Sequence, residues 1–446
     1  MADAVRKPLQ EIATAPFERS LGGGLVLRSV RSERDIESIV ALHSTHVSPV
    51  EGATCGALLR HFPRMGFDDF LVVEDRGSGA IVSTTCLIHW PCRFCGVPLQ
   101  VAMLEMVATH PAYRHRGLVR EQIRRFHEVL EERQFDLSII QGIPYYYRQF
   151  GYAYAVDHSP LEALPLARMR GLGTEQRFRL RAAVSDDLSS LGQLFDKAME
   201  PVQFRECRGI EDWRYLLCAA HYPVRLLVDG RDERPAGYVC THGGGEHPLR
   251  VNEAAVFDHE AGLAVLRLLS QETNCELQLG GPPSGLLAQL ARSLGSSSLP
   301  PYQWLFRIVD LRALLLKLAP VFGARLAASP FARFTGALTL NLFRQALMLV
   351  FENGRLRQVE MAGFRDASMG ADPGDLAIPP DAFVRLLLGY RRLEDLYDAW
   401  PDTVVRPESR LLLQVLFPPV TSHLYMHYHY LGPVEQASTP APGNSA

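Results

Sequence analysis

The sequence of 446 residues predicts a mixed α+β protein in three parts: two copies of one strand–helix unit and a smaller α/β part. The first observation is an internal repeat, because Leu25–His46 and Phe178–Met199 each read as a short strand, a polar turn and an amphipathic helix. The second is that hairpin-like strands follow both copies at similar spacing. The third is a change of pattern near Val309, after which helices flank a single hairpin.

The two copies continue in parallel through the first two thirds of the chain. In each copy, a hairpin of two alternating strands follows the first helix, and a further strand then leads into a second helix. Ser32 and Ser185 precede the first helix of their copies, where a hydroxyl can cap the helix. The paired segments are 69–74 with 80–89 and 224–229 with 236–241 for the hairpins, 99–109 and 249–257 for the next strand, and 261–270 for the second helix of the second copy.

The last third of the chain has a pattern of its own. Alternating apolar residues on both sides of Asn353-Gly354 predict a hairpin over Phe351–Glu360, because this dipeptide favours a tight two-residue turn. The residues from Gly432 onward are small, polar and rich in proline, which predicts a disordered tail. Helices are expected at Leu311–Leu318, Asp381–Leu388 and Leu393–Asp398.

Composition excludes several classes of protein. The formal net charge of −3 gives no basic domain of the kind that binds nucleic acid. The eight cysteines are scattered along a long chain, so we expect free thiols rather than a disulfide framework. The first twenty residues lack an apolar leader, and no uncharged apolar run is long enough to span a bilayer. The sequence therefore predicts a soluble cytoplasmic protein with neither nucleic-acid nor membrane partners.

A basic turn before the second helix of the first copy is the segment that suggests chemistry. A strand ends near Thr109, the turn contains Arg114 and Arg116, and Gly117 opens an amphipathic helix. The first N–H groups of a helix are unpaired, and together with the helix dipole they favour an anion such as a pyrophosphate. The spacing fits neither a P-loop nor a dinucleotide fingerprint. Taken alone, the turn favours the interpretation that it is a solvated basic loop.

A second motif follows at the expected distance. Asp136–Gln141 reads as a strand, and the sequence GIPYYYRQFGY runs from Gly142 to Tyr152. The pattern VATHPAYRHRGL, beginning at Val107, resembles the coenzyme A motif of the GNAT family of N-acetyltransferases, and YYRQFGY resembles the element that follows it. Within that family, the chain is similar to the Eis-type (enhanced intracellular survival) enzymes. That resemblance implies acetyl-CoA as co-substrate, transfer to an amine, no metal, and a homo-oligomer, which is a hexamer in the Eis-type branch.

The resemblance also implies a division of the chain. Two tandem GNAT folds, of which the second is degenerate, would precede a sterol-carrier-protein-like α/β domain. The implied parts are a flexible N-terminus (1–20), a catalytic GNAT domain (21–165), a degenerate GNAT-like domain (176–308), a sterol-carrier-protein-like domain (309–431) and a disordered tail (432–446).

Roles for individual residues follow from the same resemblance. Tyr147 matches the family's catalytic tyrosine, whose phenol protonates the leaving thiolate; a tyrosine has an acidity suited to that step. Backbone groups of Val107, Ala108 and Thr109 would pair with the pantetheine arm like an added strand. Gly142 and Ile143 would lie near the thioester. The pyrophosphate would be held by the backbone of His115, Arg116, Gly117, Leu118, Val119 and Arg120.

The general base and the acceptor stay open at this point. In the Eis-type branch the terminal carboxylate is the base, but here a Pro-rich tail continues to Ala446, which makes that assignment doubtful. Glu105 is a conceivable substitute, directly or through water, although its position favours the interpretation that it is an exposed strand carboxylate. The segment Asp258–Ala261 is acidic where the first copy is basic, so we expect no coenzyme A at the second copy. Cys92 and Cys95 lack further ligands at suitable spacing, and no metal site is expected.

Two functions from different classes are consistent with these features. The first is an amine N-acetyltransferase acting on acceptors such as polyamines, aminoglycosides or protein lysines. The alternative is a non-catalytic protein that binds a lipid or another small ligand through its C-terminal domain, with a vestigial GNAT scaffold. Retention of both the Arg116-Gly117 turn and Tyr147 favours the enzyme.

Overall fold

A computed structural model describes residues 17–158, 160–169, 171, 177–367, 371–426, 428–429 and 431–432. The tail predicted beyond residue 432 and the first sixteen residues lie outside this description. The N-terminal segment expected to be flexible up to residue 20 contributes an edge strand that begins at Glu18. No helix in the described part of the chain is long and apolar enough to cross a membrane.

The described residues contain twenty-four strands and twelve α-helices, which are numbered here in chain order. Residues up to 158 form β1 (Glu18–Gly22), β2 (Leu25–Ser29), α1 (Glu33–His46), α2 (Pro49–His61), β3 (Phe70–Asp75), β4 (Ala80–His89), β5 (Cys92–Phe94), β6 (Val97–Leu99), β7 (Val101–Thr109), α3 (Leu118–Glu132), β8 (Leu137–Ile140) and β9 (Ala153–His158). Residues 160–308 form β10 (Leu161–Pro165), β11 (Phe178–Ala182), α4 (Leu188–Met199), β12 (Phe204–Glu206), α5 (Ile210–Arg214), β13 (Val224–Asp229), β14 (Pro235–Gly243), β15 (Leu249–Val256), α6 (His259–Ser270), β16 (Glu276–Gly280), α7 (Leu286–Ser293), β17 (Ser297–Leu299) and β18 (Tyr302–Ile308). The remainder forms α8 (Leu311–Lys317), α9 (Ala319–Ala327), β19 (Gly336–Asn341), β20 (Ala346–Glu352), β21 (Arg355–Gly363), β22 (Leu376–Ala377), α10 (Pro380–Leu387), α11 (Leu393–Ala399), β23 (Val404–Val405), α12 (Arg410–Leu416) and β24 (Ser422–His423).

The first sheet has eight strands in the order β1-β2-β3-β4-β7-β8-β18-β9. Neighbours are antiparallel except for β7 and β8, which run parallel because α3 crosses between them. One face carries α3, whose residues Ile123, Phe126 and Leu130 are buried at helical spacing. The opposite face packs against α1 and α2 and continues into the largest apolar core of the molecule.

The second sheet repeats this arrangement with seven strands in the order β11-β13-β14-β15-β16-β10-β17. Its β15 and β16 run parallel and α6 crosses between them, as α3 does in the first sheet. The hairpins predicted from the sequence are confirmed as β3–β4 and β13–β14. The internal repeat is therefore a repeat of structure, and the protein has the mixed α+β fold that the sequence predicts.

The two sheets exchange one strand each. Strand β18 comes after the second sheet in the chain, yet it lies between β8 and β9 of the first sheet. Strand β10 comes before the second sheet's first hairpin, yet it lies between β16 and β17. The expected boundary at residue 165 places β10 with the first sheet, and the expected boundary at residue 308 places β18 with the second. Each of these strands belongs to the other sheet, so the expected boundaries do not coincide with the sheets.

The same kind of Arg–Asp ion pair stabilises the start of both copies. In the first, the guanidinium of Arg28 donates to both oxygens of Asp35 at 2.8 and 2.9 Å. In the second, Arg181 donates to both oxygens of Asp187 at 2.7 Å. Ser32 caps α1 as predicted, by accepting from the backbone N–H of Asp35. The predicted Ser185 cap is wrong, because that residue lies in a short 3₁₀ turn and Asp187 instead accepts from the N–H of Val184.

The third part forms a five-stranded sheet in the order β21-β20-β19-β22-β23, with helices α8 to α12 around it. The predicted hairpin is confirmed: Asn353 and Gly354 both have positive φ, at 47° and 73°, as a two-residue turn of this kind requires. The part docks on the first sheet through Tyr390, whose hydroxyl donates to Asp157 at 2.6 Å. Its likeness to sterol carrier proteins stays a prediction.

Candidate active site between two diverging strands

A gap between β7 and β8 lies at the centre of the first sheet. The two strands pair only through Val101–Met103 and Leu137–Ile139, whereas β7 pairs with β4 as far as Thr109. Met106 has a φ of 52°, and the register of the β4–β7 pair shifts beside it. Such a bulge bends a strand and ends its regular pairing with a neighbour. Val107, Ala108 and Thr109 therefore lie beyond the part of β7 that pairs with β8, and beside the gap.

A buried polar cluster anchors this end of β7. The hydroxyl of Ser83 on β4 lies 3.0 Å from the carbonyl of Ala108, 2.8 Å from the hydroxyl of Thr109 and 2.8 Å from Oε1 of Gln122 on α3. Ser83 and Gln122 are fully buried. Because buried polar groups lose free energy when they are unpaired, this cluster fixes the strand against the helix that follows the turn.

The basic turn between β7 and α3 has an open helix N-terminus. His115 and Gly117 adopt positive φ values of 62° and 77°, and Gly117 precedes the first turn of α3 without any side-chain cap. A methyl group built on Gly117 would meet no atom within 4 Å, so the space in front of the helix is free. The unpaired N–H groups of Leu118, Val119 and Arg120 thus face a space where an anion can approach.

A cleft of about 390 Å³ lies in front of this turn. It is lined by Tyr113 to Arg120, by Thr109 at the end of β7, and by Tyr146. Arg116 lies 4.8 Å from the centre of the Tyr113 ring, whose hydroxyl donates to Asp75. Within the described part of the chain no carboxylate forms an ion pair with Arg114, Arg116 or Arg120. The cleft therefore presents uncompensated positive charge and unpaired N–H groups, which suits a pyrophosphate.

Tyr147 lies on the other side of the gap, in a 3₁₀ turn over Tyr146–Phe150. Its side chain is 5% exposed and contacts Tyr146, Phe150 and Tyr152 through ring edges. None of the described residues forms a hydrogen bond with its hydroxyl. Burial, reinforced by the nearby carboxyl of Glu105, raises the pKa of Tyr147, so the phenol is a proton donor at neutral pH.

Glu105 precedes the bulge and faces the same region. It is partly buried, so the alternative that it is an exposed strand carboxylate is wrong. Burial and the neighbouring Glu51 raise its pKa to about 8, and a hydrogen bond from the hydroxyl of Tyr428 opposes that rise. A carboxyl with this pKa is mostly protonated at neutral pH and becomes able to act as a general base as the pH rises to about 8.

Tyr428 reaches Glu105 from the end of the chain. The C-terminal segment (residues 421–426, 428–429 and 431–432) runs back from the third part, and its strand β24 pairs with β12 in a four-stranded sheet of the order β24-β12-β5-β6. The carbonyl of Tyr428 accepts from the hydroxyl of Tyr215 at 2.6 Å, and its ring contacts Trp90. In this segment, which is rich in His and Tyr, the described strand is Ser422–His423, and His427 and Tyr430 lie outside the described residues.

The corresponding turn of the second copy is closed. Helix α6 begins after Asp258, whose carboxylate accepts from the backbone N–H of Ala261 at 2.8 Å. Glu260, in the same turn, forms an ion pair with Arg177. A carboxylate therefore already occupies the position that an anion would take at this helix N-terminus.

Comparison with known proteins agrees with this geometry. Residues 29–155, which include the gap, the basic turn and Tyr147, match the model of the acetyltransferase (GNAT) domain. The chain carries a GNAT domain. No curated protein sequence matches the chain.

Solved structures resemble the whole molecule and not only its GNAT domain. They include GCN5-related N-acetyltransferases from Anabaena variabilis (14% identity, TM-score 0.66, covering 90% of this chain and 99% of that one) and Kribbella flavida (17%, 0.60, 90% and 100%). Eis1 from Mycobacterium abscessus is similar at 14% identity and a TM-score of 0.60, covering 90% and 100% of the two chains. At such identities the likeness shows a shared fold.

The predicted site residues come together around the GNAT domain's gap. Thr109 and His115 to Arg120 line one cleft, Val107 and Ala108 continue β7 from it, and Gly142 and Ile143 follow β8 on the opposite side. Leu118 has a buried side chain, so only its backbone is available. Tyr428, Tyr302 and the bulge at Met106 belong to no local motif, so the sequence did not indicate them. The aromatic run at the chain's end is the one signal that pointed toward Tyr428.

Proposed function

We propose that this protein is an N-acetyltransferase that moves the acetyl group of acetyl-CoA directly to a primary amine. The single observation that carries the proposal is the continuity of the site. An uncapped, positively charged helix N-terminus opens on a cleft that reaches Thr109 and Tyr146, next to Tyr147, and Glu105 is near enough to raise the pKa of Tyr147.

The donor would bind along this gap. Backbone groups of His115 to Arg120 hold the pyrophosphate, and the free side of Val107, Ala108 and Thr109 pairs with the amides of the pantetheine arm. Gly142 and Ile143 lie near the thioester. The described residues fit this ligand because Gly117 leaves open space in front of α3 and no carboxylate neutralises the arginines of the turn.

The proton transfers divide between two residues. As the amine nitrogen attacks the thioester carbonyl, a C–N bond forms and the C–S bond breaks. Glu105 accepts the proton that the amine loses, and Tyr147 donates a proton to the sulfur that leaves as coenzyme A. Tyr428 holds the Glu105 carboxyl in place through its hydroxyl. The raised pKa of Tyr147 keeps its phenol protonated, and the raised pKa of Glu105 makes its carboxylate a stronger base that is available at a pH of about 8 and above.

The acceptor is proposed to be a primary amine with other cationic groups, since Glu51 and Glu105 both lie near the transfer site and favour positive charge. Polyamines, aminoglycosides and protein lysines belong to this class. A homo-oligomer, by resemblance a hexamer, is part of the same proposal.

Thiol release from acetyl-CoA with a panel of amines tests the proposal. We expect turnover in the wild type and a fall in kcat of about 10²–10⁴-fold in Tyr147→Phe, which is the range for loss of a general acid. Tyr146→Phe, a neighbouring ring at the cleft, is the matched control and should keep most of the activity. If no amine gives turnover, and acetyl-CoA also fails to raise the melting temperature, the proposal is wrong.

A further inference from the structure

The segment between β8 and the Tyr147 turn is held at both ends by tyrosine hydroxyls. The hydroxyl of Tyr302 donates to the carbonyl of Gly142 at 2.9 Å. The backbone N–H of Tyr145 donates to the hydroxyl of Tyr154 at 2.8 Å. Both tyrosines lie outside the segment itself, Tyr154 on β9 and Tyr302 on the exchanged strand β18.

The two tyrosines also contact each other. Their rings meet edge to face with their centres 6.1 Å apart. Their hydroxyls thus hold the two ends of the segment from neighbouring strands, and the pair is named here the tyrosine bridge (Tyr154 and Tyr302). Burial raises the pKa of Tyr302, so its hydroxyl keeps its proton at neutral pH.

The segment has little else to hold it. Ile143 and Tyr145 are 62% and 73% exposed, so neither side chain is packed in the core. Tyr145 has a φ of 70°, a left-handed conformation that costs a non-glycine residue about 1–2 kcal/mol. A strained and exposed segment persists only where its surroundings determine its conformation. The tyrosine bridge supplies that constraint, because it fixes the backbone at both ends of the four-residue segment from Gly142 to Tyr145.

We infer that Tyr154 and Tyr302 are positioning residues for acetyl transfer, acting by holding Gly142–Tyr145 and thereby the Tyr147 ring that rests on Gly142. This inference rests on the proposed function. The backbone at Gly142 and Ile143 is where the thioester is proposed to lie, and Tyr147 follows two residues after Tyr145. Loss of the bridge should misplace both without removing any group that touches the substrate. Because Tyr302 lies on β18, a residue beyond the second copy would control the chemistry of the first.

Kinetics and hydrogen–deuterium exchange of Tyr154→Phe and Tyr302→Phe test the inference. We expect each variant to lower kcat about tenfold to hundredfold, since a displacement of about 1 Å can cost that much, with a KM for acetyl-CoA within twofold of wild type. Backbone amides of residues 142–146 should exchange faster while those of α3 do not change. The double variant should lose about as much as one single variant, because the two hydroxyls act as a unit.

Tyr390→Phe is the matched control. Its hydroxyl donates to Asp157 on β9 and accepts from Gln303 on β18, so it joins the same two strands without touching the segment. Equal losses of kcat in Tyr390→Phe and Tyr302→Phe would overturn the inference, as would kcat values of both bridge variants within twofold of wild type. If the wild type itself lacks turnover, the proposed function fails. The exchange measurement then decides the bridge alone, and unchanged protection of 142–146 overturns it.

Discussion

The ring of Tyr147 lies directly against the Cα of Gly142, and a Cβ at residue 142 would overlap two carbon atoms of that ring. The end of β8 and the following 3₁₀ turn are thus packed with no space for a side chain between them. Gly142 does not have a left-handed φ, so the requirement for glycine here comes from close approach and not from backbone conformation.

Gly142→Ala should therefore disable the site while leaving the fold intact. The added methyl group must displace the Tyr147 ring, and we expect kcat to fall about a hundredfold or more. Affinity for coenzyme A, measured by calorimetry, should stay within a few fold, because the basic turn is unchanged. Gly192→Ala is the control: a Cβ there meets only Trp213, at 4.0 Å, and activity should not change. Full activity in Gly142→Ala would mean that Tyr147 is not the acid.

The raised pKa of Glu105 predicts the alkaline requirement of the reaction. Below a pH of about 8 the carboxyl is mostly protonated and cannot accept a proton, so kcat/KM should rise with pH and level off above that value. Glu105→Gln should lower kcat/KM about a hundredfold and remove this rising limb of the pH profile. A pH profile of the variant that keeps the same limb would assign it to the acceptor amine.

Glu51→Gln separates the two sources of that limb. Glu51 raises the pKa of Glu105, so its neutralisation should lower that pKa and move the limb toward lower pH. The ionisation of the free amine would not move. The profile should be measured with one acceptor in both proteins, and an unmoved limb argues against Glu105 as the base.

Arg116 should act on donor binding and not on the transfer itself. It lines the cleft in front of α3 with no described carboxylate as partner. We expect Arg116→Ala to raise KM for acetyl-CoA about tenfold, to leave kcat within about twofold, and to weaken the dependence of KM on salt. Arg179→Ala, which removes an exposed arginine paired with Glu233 in the second sheet, should change neither constant. A fall in kcat alone would place Arg116 in the chemical step.

Arg208 predicts a large effect on stability. Its side chain is fully buried and donates to both Glu253 and Glu206. Arg208→Met would leave two buried carboxylates without a cation, and we expect the free energy of unfolding to fall by about 3–5 kcal/mol in urea denaturation. Arg214→Met removes an exposed partner of Glu211 and should cost less than about 0.5 kcal/mol. Equal losses would show that burial of the pair does not matter.

The sequence was sufficient wherever a short stretch determines its own structure. The Asn353-Gly354 turn, the Ser32 cap and the basic turn before α3 were all predicted from residues a few positions apart. Tyr147 was found because its motif follows the basic turn at a fixed distance. The Ser185 cap failed for a local reason: Ser185 lies inside a 3₁₀ turn, where the N–H groups of Asp187 and Leu188 already donate to the carbonyls of Val184 and Ser185.

Relationships across long stretches of chain could not be predicted. Glu105 is separated from Tyr428 by most of the molecule, and its raised pKa comes from burial that only the folded chain produces. The partnership of Tyr302 with Gly142 depends on β18 entering the first sheet, and no alternation of residues specifies which sheet a strand joins. Burial and strand order are properties of the whole fold, so a local pattern contains neither.

The exchange of β10 and β18 also affects how the chain folds during synthesis and how far each copy depends on the other. During synthesis, the sheet that contains the candidate active site stays incomplete until residue 308 has left the ribosome, so the nascent first copy cannot mature before the second has been translated. Neither copy can be deleted without opening a gap in the other. A substitution that unfolds either copy should therefore also disturb the sheet of the other.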